Sequence, residues 1–238
     1  MGLTIHYRLH SGTCSPVEAR QLVEDLRKRA LDLPFQDVSE VVELKGEACE
    51  FDRYDRDHPH RWLLIQAGQF VEREGIHYTV APKHAIAFSA WPGEGCEESN
   101  FGLCVYPGVL DIKDPRTGRA RKLRTELKGW CWSSFCKTEY ASSPSAGGVE
   151  HFLRCHVSVI RMLDHAKQLG ILASVSDEGD YWEKRDVKAL AQEVGEWNAH
   201  IAGLVGQMKD LIGGDFDAPI TKFPDFEHLE AKGRRKKK

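Results

Sequence analysis

Nowhere does the chain approach the roughly 18 uninterrupted apolar residues that a membrane-spanning helix requires. Its start, Met1-Gly2-Leu3-Thr4-Ile5-His6-Tyr7, has neither a basic n-region nor an apolar h-region. A cytoplasmic protein that stays off the membrane is the expectation. The chain also lacks G-x-G-x-x-G, G-x-x-x-x-G-K-[ST], H-E-x-x-H, G-x-S-x-G and C-x-x-C, which speaks against P-loop nucleotide chemistry and zinc-protease chemistry. No internal repeat is evident, and no cofactor is implied.

Cysteine is present but unpatterned. Seven residues, at 14, 49, 96, 104, 131, 136 and 155, form an odd set with no recurring spacing, so reduced thiols rather than a disulfide framework are expected. With 238 residues, 41% hydrophobic and 29% charged, the chain can bury a substantial core. The net charge is −3, of which Lys232, Arg234, Arg235, Lys236, Lys237 and Lys238 supply +6, leaving −9 on residues 1–231. An acidic body thus carries a basic tail.

Periodicity sets the architecture. Leu3 to Leu9 alternates apolar and polar residues and reads as a half-buried strand. Ser15, Pro16 and Glu18 then punctuate a helix start as N-cap, first helical residue and capping-box partner. That helix buries Ala19, Leu22, Val23, Leu26 and Ala30 and stops before Pro34. Val38–Leu44 is the expected returning strand. Trp62–Ile65, Ile76–Val80, His84–Trp91, Phe101–Tyr106, Val109–Ile112 and Leu123–Phe135 read as further β-segments, and the short connections favour antiparallel pairing. His84–Trp91 is apolar on both faces and belongs centrally in the sheet. Pro115-Arg116-Thr117-Gly118 reads as a turn between two of them.

A second pattern begins after the small, polar stretch Ser142–Gly148. Val149, Phe152, His156, Val159, Leu163 and Ala166 alternate three- and four-residue steps, and so do Val187, Leu190, Val194, Trp197, Ile201, Leu204, Met208 and Leu211. Two helices, 148–170 and 181–212, are therefore predicted to zip into an antiparallel hairpin, with Asp180-Tyr181-Trp182-Glu183 capping the second and Trp197 at the centre of their packing. The predicted fold is α+β: a mostly antiparallel sheet region with one packed N-terminal helix over 1–141, a helical hairpin over 148–212 packed on it, and an extended strap with a basic disordered tail over 213–238.

Two functional readings follow. In the first, the protein binds or regulates another protein or an anionic ligand through the outer face of the hairpin and a basic turn. Lys113, Arg116, Arg119, Arg121, Lys122 and Arg124 cluster on and after that turn, and Arg116, Arg119, Arg121, Lys122 and Arg124 with Trp130 and Trp132 are the candidate binding residues. Such a cluster can grip the phosphates of a nucleic acid, although a charge run is more commonly solvated surface. In the second, it is a thiol-dependent enzyme. Gly129 to Tyr140 collects Trp130, Cys131, Trp132, Cys136 and Lys137, and in an extended strand Trp130, Trp132, Ser134 and Cys136 share a face. Cys136 beside the Lys137 cation is then the candidate nucleophile, with His156 or His84 as base. The ordinary alternatives are a core strand whose tryptophans pack inward and a seam histidine held neutral by hydrogen bonds. Cys155 reads as packing, and Cys96, in the glycine turn Pro92–Glu98, has glutamates nearby that raise a thiol's pKa. Cys131, Cys136, Cys155 and His156 lack the compact paired spacing of a zinc site, so no metal is expected. The charged loop Asp55–His60 reads as solvated surface. A third reading is self-association through leftover hairpin surface; the sequence leaves the oligomeric state open.

Overall fold

A computed structural model describes residues 3–12, 14–50, 57–113, 118–196 and 198. The chain opens with strand β1 (Thr4–Ser11) and helix α1 (Pro16–Leu31). The capping box is formed: Glu18 N–H donates to Ser15 Oγ at 3.3 Å, and Ser15 N–H donates to Glu18 Oε2 at 2.7 Å, so two orphan amides of the first turn are satisfied reciprocally. Ala19, Val23, Leu26 and Ala30 form the buried stripe of α1.

Short strands β2 (Asp37–Val38) and β3 (Val42–Lys45) follow, then helix α2 (Arg61–Ala67), the hairpin of β4 (Gln69–Arg73) with β5 (Ile76–Val80), and strands β6 (His84–Trp91) and β7 (Ser99–Val105). A ribbon of β8 (Val109–Lys113) and β9 (Ala120–Arg124) precedes β10 (Trp130–Lys137), helix α3 (Gly148–Gln168), β11 (Leu172–Asp177) and the single-turn helix α4 (Tyr181–Lys184). Residues 187–196 are helical.

Seven strands make one antiparallel sheet in the order β11-β1-β10-β7-β6-β2, with β3 also paired to β6. β6 is flanked on both edges and buried along most of its length, which is why its sequence does not alternate. Helix α1 packs against β6, β7 and α3, while Leu63, Leu64 and Ala67 of α2 lie against Val42, Leu44, Ala85 and Ala87. β10 lies beside β7 with the register pair Cys131↔Cys104. The Asn100 carbonyl of β7 accepts from the Tyr7 hydroxyl at 2.7 Å and from Trp132 Nε1–H at 2.8 Å. Side chains thereby satisfy a backbone acceptor at this seam.

This architecture corrects the predicted one. The chain leaving α3 does not fold back as a second helix of a hairpin. It turns at Gly170, whose φ is +72°, and runs as β11 along the open edge of β1, with Ile5 opposite Asp177 and Tyr7 opposite Val175. The unpaired backbone of β1 offers hydrogen bonds that a loop over 171–177 would forgo. His10 N–H donates to Ile171 O at 2.7 Å and Glu178 N–H to Thr4 O at 3.1 Å, closing both ends of the pairing. The apolar stripe of α3 therefore covers a sheet as well as the helical residues 187–196, whose Leu190 and Val194 meet Phe152, Cys155, Leu3 and Ala141. Capping differs too. Asp180 takes a left-handed φ of 56° and caps nothing; Asp177 accepts from Gly179 N–H and Trp182 N–H instead, and Asp186 accepts from Lys188 N–H and Ala189 N–H at the start of 187–196.

Trp62–Ile65, expected as a strand, is helical within α2, since a short apolar run carries no period of its own. Trp197, the seam positions from Ile201 to Leu211, the strap and tail over 213–238, Arg116, and the loop residues 52–56 lie outside the described residues. Among the described residues no helix is long and apolar enough to cross a membrane.

Candidate functional site

Cys136 and His156 both lie at the junction of β10 and α3, but they do not face each other as nucleophile and base. The Cys136 thiol is fully buried and donates to the Glu97 carbonyl at 3.2 Å. Burial, and then the neighbouring Glu97 and Cys155, push its pKa well above the usual thiol range. The Lys137 ammonium turns away to the Tyr140 hydroxyl at 3.3 Å and lies 4.5 Å above that ring. His156 is equally buried, with Nδ1 at 2.9 Å from Thr138 Oγ1 and Nε2 at 3.1 and 3.2 Å from the two Asp177 oxygens. Burial works to raise the Asp177 carboxyl, but bonds from His156, Gly179 N–H and Trp182 N–H outweigh it and hold the group ionised below its ordinary range. This buried trio joins β10, α3 and β11. The other candidate base, His84, is at 2.8 Å from Glu43 and edge-on to Trp130.

The two tryptophans are core. Trp130 Nε1–H donates to Cys14 O at 3.0 Å, Trp132 is spent on Asn100, and both side chains are buried. Arg119, Lys122 and Arg124 are exposed on the β8–β9 ribbon, and Arg121 pairs with Glu74 at 2.9 Å.

The side chains that do converge are those of Cys96, His151, Arg154 and Cys155, where the turn Pro92–Cys96 presses on α3. Two glycines permit the approach. A Cβ on Gly93 would lie 2.7 Å from His151 Cε1, and one on Gly95 would lie 2.5 Å from the Tyr140 carbonyl oxygen. Both residues have positive φ, at 148° and 76°, a region open to glycine and costly for other residues. Cys96 N–H donates to Gly93 O at 3.0 Å, and Trp91 Nε1–H donates to Cys96 O at 3.2 Å, which fixes the turn.

Hydrogen bonding assigns the tautomer of His151. Arg154 Nη2 lies 2.8 Å from His151 Nδ1, and a guanidinium only donates, so Nδ1 accepts. The ring hydrogen then sits on Nε2, 2.9 Å from the Glu94 carbonyl and 3.6 Å from Cys155 Sγ. With Nδ1 occupied by Arg154 and the Nε2–H given to the Glu94 carbonyl, the imidazole packs beside the sulfur and is not placed as its base. As a thiol, Cys155 donates to Pro92 O at 3.3 Å. On ionising it exchanges that bond for donors: the Cys96 thiol, then the Arg154 guanidinium, which together outweigh burial and lower its pKa. Cys96 responds in the opposite sense, because it must keep its proton to donate to Cys155 and is itself mostly desolvated. Cys155 is buried, Cys96 and His151 are half-exposed, and Arg154 is exposed.

Sequence reasoning passed over His151 and Arg154. The available signal was the His151–Cys155 spacing of four, which puts both side chains on one helix face. Among the described residues, no group of three or more histidine, cysteine, aspartate or glutamate side chains is arranged to hold a metal ion. The chain matches no protein-family model, no curated protein and no solved structure.

Proposed function

We propose that this protein is a thiol-dependent enzyme that works through the Cys96–Cys155 pair, with Cys155 as its thiolate. One observation carries the reading. Cys155 is shifted toward the thiolate by Cys96 and the Arg154 guanidinium, whereas Cys49, Cys104, Cys131 and Cys136 are all shifted toward the neutral thiol by burial first of all. Partly desolvated thiolate is costly to hold, and a donor set gathered around one sulfur is the arrangement of a reactive cysteine rather than of packing. The reading keeps the thiol chemistry expected at the junction of sheet and helix but moves it from Cys136 and His156 to Cys155 and Cys96. The test is the ultraviolet thiolate absorbance of the intact chain against pH. A thiolate forming below the ordinary cysteine value of about 8.5, lost in Cys155→Ser, is expected; a titration with no such step overturns the proposal.

A second reading, binding of an anionic partner, rests on the β8–β9 ribbon. These strands pair only with each other among the described residues and expose Arg119, Lys122 and Arg124. Salt-dependent binding of a single-stranded oligonucleotide that weakens in the triple alanine variant of these residues supports it. Binding that is unchanged in that variant removes it.

A further inference from the structure

We infer that the open face of β1, β10 and β11 is a docking surface for single-stranded nucleic acid, with a base stacked on Phe135 and a phosphate at Arg8. Strand alternation builds that face. Ile5, Tyr7 and Leu9 of β1 and Trp132, Ser134 and Cys136 of β10 are buried, so His6, Arg8 and His10 and, on β10, Ser133 and Phe135 point the other way. Pairing sets them in two rows across three strands: Ser176, His6 and Phe135 stand side by side, and next to them Ser174, Arg8 and Ser133. Together these residues line a shallow groove of about 360 Å³. Both β1 and β10 are interior strands, so the groove runs over the sheet and not along an edge.

An antiparallel sheet ordinarily turns one polar face to water, and three details depart from that. Phe135 stays 40% exposed on the face, with the His6 ring beside it at 5.8 Å between centroids and 38° between planes. Arg8 is exposed and enters no ion pair among the described residues. The chain has 36 aspartates and glutamates, yet none stands in either row; Glu178, past the end of β11, accepts from Thr4 N–H at 3.0 Å. A flat ring, a guanidinium without a carboxylate, and serine hydroxyls on both sides of it that can donate to an anion complement a ligand that is both aromatic and negatively charged.

A shallow groove leaves much of a free small molecule wet, whereas small-ligand sites bury most of their ligand. A chain gains by continuing along the face: His6, Arg8 and His10 recur at every second residue of β1 and offer ring, cation and ring in turn. Every nucleobase has a face that stacks on an aromatic side chain, and cations track the backbone between bases. In a duplex those faces are covered by neighbouring bases, so the strand must be single. Neither Cys155 nor the β8–β9 ribbon lines the groove, so strand binding here stands or falls separately from both.

The experiment is fluorescence anisotropy of the full chain with labelled decauridylate and decathymidylate, each also as a duplex with its complement. Single strands are expected to bind, more weakly as salt is added, and the duplexes to bind roughly tenfold more weakly still. Phe135→Leu is expected to weaken strand binding roughly tenfold with the salt slope unchanged, Phe135→Tyr to bind as wild type, and Arg8→Gln to weaken binding and reduce the slope by about one. Ultraviolet crosslinks in the wild-type complex are expected at Phe135, and crosslinks confined to other segments overturn the assignment, so the result does not depend on any variant folding. No binding of either strand overturns it as well. So does binding that the triple alanine variant of the ribbon loses and the sheet-face variants keep, which leaves the ribbon reading standing. Equal capture of the duplexes, of uridine monophosphate or of a phosphotyrosyl peptide overturns the single strand as occupant.

Discussion

The Arg154 guanidinium donates to His151 Nδ1 at 2.8 Å, and so places the ring hydrogen on Nε2, which goes to the Glu94 carbonyl at 2.9 Å. Arg154 is also the cation that favours the Cys155 anion. Arg154→Ala removes the cation and leaves Nδ1 free, so the thiolate step of Cys155 is expected to move to higher pH. Arg154→Lys, which keeps charge without the planar fork, is expected to fall between the two. An Arg154→Ala titration that coincides with wild type shows that the guanidinium does not act on the sulfur.

The same group links stability to pH. The pKa of Cys155 is lowered on folding, so between its folded value and the unfolded value of about 8.5 the unfolded chain binds more protons. Stability contributed by Cys155 is complete above the unfolded value and is lost as pH falls through the folded one. Urea denaturation of wild type and Cys155→Ser is expected to diverge with rising pH through that window, in favour of wild type. Parallel curves would mean that Cys155 titrates alike in both states.

Asp177 should prove far more important to the fold than its position in a polar segment suggests. Its side chain is fully buried with His156 and also accepts from Gly179 and Trp182 N–H. Asp177→Ala strands a buried imidazole and two amides and is expected to cost about 3–5 kcal/mol. Its contribution follows the acid rule: the carboxyl is lowered on folding, so its stabilisation holds above the unfolded value of about 3.9 and is lost as pH falls through the folded one. Chemical denaturation of Asp177→Ala at neutral pH and of wild type at acid pH checks both statements.

Tyr7→Phe tests the side-chain bonding at the β10–β7 seam. The hydroxyl is one of two donors to the Asn100 carbonyl, so deleting it leaves the acceptor satisfied by Trp132, and a loss of about 1 kcal/mol is expected from denaturant midpoints. A loss of several kcal/mol would mean that Trp132 does not hold the carbonyl alone.

Legibility in the sequence followed how local each signal is. The capping box of Ser15 and Glu18 and the both-faces-apolar β6 are written in adjacent residues. The stripe Phe152, Val159, Leu163 and Ala166 is a true buried face, but a periodic stripe names no covering partner, and β1, β11 and residues 187–196 all share that role. β11 itself carries Ala173, Ser174 and Ser176, an unremarkable polar run that is a strand because β1 has an open edge. At the site, each cysteine was visible singly. That Cys96 packs against the cluster holding Cys155, and that an arginine orders His151 beside it, depends on a turn pressed against α3 by two glycines, a contact between segments far apart in the chain.

The central claim is that Cys155 is held as a thiolate, and the most direct measurement is the pH titration of cysteine Cβ resonances in the selectively ¹³C-labelled full chain. The Cys155 Cβ is predicted to shift with a midpoint below the ordinary thiol value of about 8.5, while Cys136 keeps its thiol shift throughout the folded range. A Cys155 resonance that remains that of a neutral thiol up to or beyond that pH would contradict the account.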